Sequence, residues 1–260
     1  MAIRLKAKVD GDGPPLILLH GLFGSRQNLG AIATRLSPEW QVHSLDLRNH
    51  GHSPHCDSMT YPEMAADVAR YMEEAGLESA HLLGHSMGGK TAMQLALSHP
   101  GRVQRLIVAD IAPVNYAARH DAILDGLCAL EPSRLSSRTE ADRQLQAYVS
   151  EPAVRAFLLK NLVRSGEGFA WRMNLSAIRA NYDALRAAPE GEGAFEGATL
   201  FIKGGESDYI QTAHREAVKS RFPNAVLRVM PECGHWLHAQ KPDLFATLCR
   251  RFLQGEMGSD

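Results

Sequence analysis

The chain has 260 residues, 45% of them hydrophobic and 22% charged, with a formal net charge of −1. These are the proportions of a folded globular protein, which excludes disorder as the main state, and the near-zero charge gives no electrostatic footprint for nucleic acid or an anionic membrane. No apolar run approaches the roughly 18 residues of a membrane span. The opening Met1-Ala-Ile-Arg-Leu-Lys6 lacks the apolar stretch of a secretory leader, and Cys56, Cys128, Cys233 and Cys249 are scattered without a CxxC pair. The expectation is therefore a cytoplasmic protein with reduced, mostly buried thiols and no nucleic-acid or membrane partner.

Pro15–His20 is a short apolar run closed by Gly21, the pattern of a buried strand. Leu29, Ile32, Ala33 and Leu36 recur at helical spacing and Pro38 stops them, so 25–36 is predicted helical. A strand over 41–47 follows. The helix predicted over 60–75 has Thr60 as its cap, Glu63 three residues on and Gly76 at its end. Then come a strand over 80–83, a helix over 86–97 and a strand over 103–109. This alternation predicts an α/β fold with a mostly parallel central sheet covered by helices on both faces. From Val114 to about Gly197 the periodicity is helical, with no convincing strand. The rhythm then resumes with a strand over 198–202, a helix over 211–222, a strand over 225–229 and a closing helix over 238–253. The reading is one sheet domain over 1–260 carrying a helical lid insertion at about 114–197, with a frayed tail over 255–260.

Gly84-His85-Ser86-Met87-Gly88 lies between a predicted strand and a predicted helix. A serine on such a sharp turn projects its hydroxyl above the sheet, and glycines two before and two after it let strand and helix approach closely. The same stretch, read from Gly84 through Lys90 and Thr91, also fits G-x-x-x-x-G-K-[ST], the phosphate-cradling loop of nucleotide triphosphatases, with Asp110 placed to hold Mg²⁺. In that reading Lys90 binds phosphate. In the hydrolase reading Lys90 lies a turn into the helix, with its charge solvated.

Three features favour the hydrolase. Cys233-Gly-His235-Trp follows the last strand, where a hydrolase keeps its base, and it gives the order Ser, Asp, His along the chain. His20-Gly-Leu22-Phe23-Gly follows an early strand and offers an oxyanion-hole N–H from Leu22, or less favourably Phe23, to pair with that of Met87. A phosphate loop commonly follows the first strand of its domain, whereas two strands precede this one.

Together, His20-Gly-Leu-Phe-Gly, Asp46-Leu-Arg-Asn-His-Gly51-His-Ser53, Gly84-His-Ser-Met-Gly-Gly-Lys90, Asp110-Ile-Ala-Pro and Gly234-His-Trp resemble the α/β-hydrolase superfamily. More narrowly they resemble the YbfF-type serine esterases, over residues 3 to 253. The resemblance implies an α/β-hydrolase fold and a serine carboxylesterase without cofactor or metal, acting on small to medium acyl esters or thioesters. Ser86 would be the nucleophile and His235 the base. Two carboxylates stand at strand ends for the acid role. Asp208 lies where most of the superfamily keeps its acid, while the YbfF-type resemblance favours Asp110, with Ser207 as an auxiliary hydroxyl. Phe23 is a substrate-contact candidate, and Tyr116, Phe157, Leu158, Trp171 and Tyr182 of the insertion could line a pocket or simply pack it. His85 reads as a packing residue. His50-Gly-His52-Ser-Pro-His55 imitates a dinuclear metal motif, but Pro54 replaces its aspartate; the alternative is a structural loop braced by Asp46, Arg48, Gly51 and Ser53.

Overall fold

The computed structural model describes residues 1–166 and 168–257. Nine strands are present among them: β1 (Lys6–Asp10), β2 (Pro15–Leu19), β3 (Gln41–Asp46), β4 (Ala80–His85), β5 (Val103–Ala109), β6 (Leu162–Ser165), β7 (Gly168–Trp171), β8 (Thr199–Gly204) and β9 (Ala225–Met230). Seven form one sheet in the order β1-β3-β2-β4-β5-β8-β9. All its pairings are parallel except that of β1 with β3. The sequence reading begins its sheet at Pro15 and misses β1. Lys6, Lys8 and Asp10 leave this edge strand mostly outside the core, so it carries little apolar signal.

The pleat separates two cores. Leu16 and Leu18 of β2 face one with Leu83 and Ile107, while Ile17 and Leu19 face the other with Leu82 and Val108. α1 (Gly30–Leu36) covers the first face. α2 (Tyr61–Glu74) and α3 (Met87–Ser98) cover the second. Thr60 and Glu63 start α2 with a reciprocal capping box, Thr60 N–H donating to Glu63 Oε2 at 3.0 Å.

Between β5 and β8 the chain leaves the sheet. It forms α4 (Asp121–Ala129), α5 (Arg138–Leu145), α6 (Pro152–Leu158), the antiparallel β6–β7 hairpin, α7 (Leu175–Ala180) and α8 (Tyr182–Arg186). The hairpin corrects the all-helical expectation for 114–197. Its strands are four residues each, too short for an alternating pattern to stand out, and Gly166 in the left-handed region at φ 58° begins the reversal.

α9 (Arg215–Arg221) follows β8, preceded by a 3₁₀ turn over Thr212–His214. The predicted closing helix is two: α10 (Leu237–Gln240) and α11 (Pro242–Leu253), since Pro242 lacks the N–H that continuation needs and begins a new helix instead. α11 joins α1 on the first face. Beyond it Gly255, at φ 82°, closes the helix and Met257 packs against the core. Residues 258–260 of that tail lie outside the described residues. Cys233 and Cys249 are buried, Cys56 is half-buried and Cys128 is exposed, fewer buried thiols than expected. No helix among the described residues is long and apolar enough to cross a membrane.

Candidate active site

β4 ends at His85 and α3 begins at Met87, leaving Ser86 alone to make the turn, at φ 51° and ψ −118°. That left-handed backbone is costly for a residue with a side chain. It persists because the turn is over-determined. A Cβ at Gly84 would stand 2.2 Å from the Gly88 carbonyl oxygen, and one at Gly88 would stand 2.2 Å from that of Leu19. Only glycine fits either position. Ser86 N–H donates to Ala109 O at 3.0 Å, tying the turn to β5. The Ser86 hydroxyl has no hydrogen-bond partner among the described residues. It faces a cavity of about 260 Å³.

The loop after β2 runs beside this turn, held by two buried histidines. Burial keeps both imidazoles neutral; that of His50 is pushed down to about 3. A neutral ring has one donor and one acceptor, and the partners decide which is which. His20 Nε2 accepts from Leu47 N–H (3.1 Å), so Nδ1–H donates to Gly21 O (2.8 Å). His50 Nε2 accepts from Phe23 N–H (3.1 Å), and its Nδ1–H donates to Arg48 O (2.9 Å). Phe23 sits at φ 59°, with its carbonyl accepting from Asn161 Nδ2 of the insertion at 2.7 Å. The Phe23 N–H is therefore occupied. Those of Leu22 and of Met87, at the first position of α3, have no partner among the described residues.

His50 is thus the brace of a backbone loop, and His55 bonds Arg172 O at 3.0 Å. The remainder of that loop is braced as its sequence suggested. Asp46 accepts from Arg26 N–H and Nη1 and from His52 N–H, Ser53 donates to Asp46 O, and Arg48 forms a buried pair with Asp67 at 2.6 Å.

His235 follows β9 and lines the same cavity as Ser86. Its Nδ1 lies 2.8 Å from Asp110 Oδ2. Asp110 is fully buried just past β5 at φ 52°, and it also accepts from Gly204 N–H (2.9 Å) and from the Ser207 hydroxyl. Asp208 lies elsewhere. It is exposed and paired with Arg119 at 2.7 Å, which holds its carboxyl below the usual range. Of the two strand-end carboxylates, Asp110 is the one in contact with the imidazole. Ser207 touches Asp110 and is not among the residues lining the cavity; Phe23 is among them.

The chain matches the model of the α/β hydrolase fold over residues 14–242. It is 39% identical to the sn-1-specific diacylglycerol lipase ABHD11 of Mus musculus over 94% of this chain and 83% of that protein. It is 38% identical to Esterase YbfF of Escherichia coli strain K12 over 92% of each. Among solved structures, a marine microorganism esterase superposes with a TM-score of 0.95 at 40% identity, covering 96% of this chain and 100% of that one. The chain belongs to the α/β-hydrolase family.

Several cavity residues of this hydrolase carry no motif. Tyr209 stacks on His235 with ring centroids 4.0 Å apart and planes 19° apart, and the Arg119 guanidinium lies over the tyrosine ring, 5.1 Å from its centroid. Burial pushes the Tyr209 phenol up to about 12. His120, just ahead of α4, faces the cavity with its Nδ1 2.9 Å from Tyr182 Oη, and burial pushes its pKa down to about 4. His85 Nε2 donates to His235 O at 2.8 Å, so this ring braces the His235 backbone as well as packing. His238 is buried beside it and lines the cavity, with no partner for its Nδ1 among the described residues. Nothing in the local sequence distinguishes Arg119, His120 or Tyr209, because the insertion and the β8 loop bring them in from afar. Of the insertion residues singled out, Phe157 and Leu158 line the cavity. Tyr116 and Tyr182 line a smaller recess beside Ser86, and Trp171 lines neither.

Lys90 corrects a sequence expectation. Its charge is not solvated: the side chain is 1% exposed and Nζ donates to the carbonyls of Val114, Arg186 and Ala187. Burial pushes its pKa down to about 7. Thr91 is also buried, donating to Met87 O at 3.0 Å. Neither side chain is presented to a phosphate.

Proposed function

We propose that this carboxylic ester hydrolase works through an acyl-enzyme on Ser86, with His235 as general base and acid and Asp110 as its partner. The observation that carries this reading is the strained Ser86 turn opening into the same cavity as the His235–Asp110 pair. Asp110 accepts the Nδ1 proton of His235, which leaves Nε2 as the basic nitrogen. His235 takes the Ser86 proton as Oγ attacks the ester carbonyl. The oxyanion that forms is met by the N–H groups of Leu22 and Met87, the second at the positive end of α3. Collapse releases the alcohol with the proton from His235. Water, deprotonated by the same imidazole, then attacks the acyl-enzyme and frees the carboxylate. The hydrogen bonds from Gly204 and Ser207 hold the Asp110 carboxyl group in its orientation toward His235.

The segment 114–197 acts as the lid and sets acyl length, because Ile123, Val154, Phe157 and Leu158 supply the apolar wall facing Ser86. A cavity of about 260 Å³ suits small to medium acyl groups, and a thioester would use the same machinery. The names of the relatives, an esterase and a diacylglycerol lipase, support the ester class. The test is turnover of p-nitrophenyl esters of increasing acyl length, with fluorophosphonate labelling. Ser86→Ala is expected to lose labelling and on the order of 10⁴-fold or more of kcat. Retained turnover in that variant would overturn the assignment.

A further inference from the structure

A larger cavity, of about 450 Å³, lies between α9 and the edge of the sheet and shares no lining residue with the catalytic cavity. Its origin is a mismatch of lengths. In the β8–β9 ladder Phe201 pairs with Leu227 and Lys203 with Val229, so these four side chains rise from one face of the sheet. α9 has seven residues and leaves the far part of that face bare. Leu227 is 47% exposed and Val229 53%. Single exposed apolar residues are ordinary, but two on one face of an edge strand, continuous with a cavity, are a patch.

The floor of the cavity is apolar, from Phe201, Ile210, Val218 and Leu227. Among the described residues its rim is basic, from Lys203, Arg215 and Lys219, and no Asp or Glu lines it. In a chain whose formal charge is −1, three cations around one cavity with no carboxylate among the described lining residues are a local concentration of one sign. Lys203 and Lys219 donate to backbone carbonyls, and neither they nor Arg215 pair with a carboxylate among the described residues. A neutral lipid would leave this rim without a counter-charge. A compact polyanion would leave the floor unused.

We propose that this groove binds an aliphatic carboxylate, with its chain on Phe201, Ile210, Val218 and Leu227 and its head group held by Arg215 and Lys219. Arg215 can take a carboxylate through two parallel N–H donors, and Lys219 adds a point charge. The site is independent of the triad reading, since it uses none of the same residues.

A diazirine-bearing undecanoate, photo-crosslinked to the full-length protein and mapped by peptide mass spectrometry, tests it. Crosslinks are expected on 210–219 and 225–228. They should fall about tenfold or more in the Arg215→Glu/Lys219→Glu variant and with the corresponding uncharged alcohol probe, while ester turnover and the melting temperature of the variant stay as in the wild type. Single Arg215→Gln serves if the double variant is unstable. Crosslinks absent from these segments, confined to the catalytic cavity, or insensitive to either change of charge would overturn the proposal.

Discussion

Asp110 and Asp208 are the same residue type, both close to strand ends, yet their surroundings differ. Asp110 is buried with three donors on it, one of them the imidazole of His235, whereas Asp208 is exposed with a guanidinium partner. Asp110→Asn is expected to reduce kcat by about 10⁴-fold, because the amide can favour the wrong histidine tautomer. Asp208→Asn should change kcat by less than about threefold and stability by at most about 1 kcal/mol, the worth of an exposed ion pair. Steady-state kinetics of the two variants decide it, and the reverse order would move the acid role to Asp208. His50 offers a second test. Its Nε2 holds the Phe23 N–H, and that bond shapes the loop presenting Leu22. His50→Leu is expected to lower kcat about tenfold or more with little change in KM, since a misplaced oxyanion donor is felt in the transition state.

At the scale of the element, α2 shows how a short sequence signature becomes a stability device. Glu63 closes the capping box on Thr60, accepts from Ser58 and pairs with Arg48 at 3.2 Å. Burial pushes its carboxyl up, but the bonds from Ser58 and Thr60 and the charge of Arg48 outweigh that and bring it down to about 2. The folded state therefore binds this proton less readily than the unfolded state. The stabilisation is complete above the unfolded value near 4.5 and is lost as pH falls from there toward 2. Melting temperatures over that range should drop more steeply for the wild type than for Glu63→Gln, which is expected to cost about 1 kcal/mol at neutral pH. Parallel curves for the two proteins would show that Glu63 carries no such linkage. The N-terminus of α2 was legible because Thr60-x-x-Glu63 is a local signal; the β6–β7 hairpin was not, because four-residue strands leave too few alternations to read.

In the whole molecule, Lys90 joins two parts of the chain. It projects from α3 and its ammonium donates to the carbonyl of Val114, where the insertion leaves the sheet domain, and to those of Arg186 and Ala187, where it returns. Tyr116 N–H to Arg186 O (2.9 Å) and the Gln94–Glu190 contacts close the same neck. Lys90→Met strips one donor from three carbonyls. At about 1–3 kcal/mol for an unsatisfied buried group, a loss of about 3 kcal/mol or more is expected in urea unfolding. Trypsin should also cut within 114–187 faster in the variant than in the wild type. Unchanged unfolding and unchanged cleavage would mean that Lys90 does not hold the neck.

The sequence by itself determined the parallel strands of the sheet, the turn at Ser86 and the family. Those features are written in local terms: runs of apolar residues, spacing of 3.6, and glycines that two approaching backbones require at 84 and 88. Tertiary structure decided the rest. Which strand-end aspartate touches the His235 imidazole, what His50 braces and the fate of the Lys90 charge depend on residues far apart in the chain. So does the placing of Tyr209 and His120 around His235. The formal charge of −1 excludes a highly charged surface overall, but it cannot report where charges cluster. Packing α9 against the edge of the sheet gathers three cations around an apolar floor, a pattern that no window of the sequence contains, because β8, α9 and β9 each contribute only part of it.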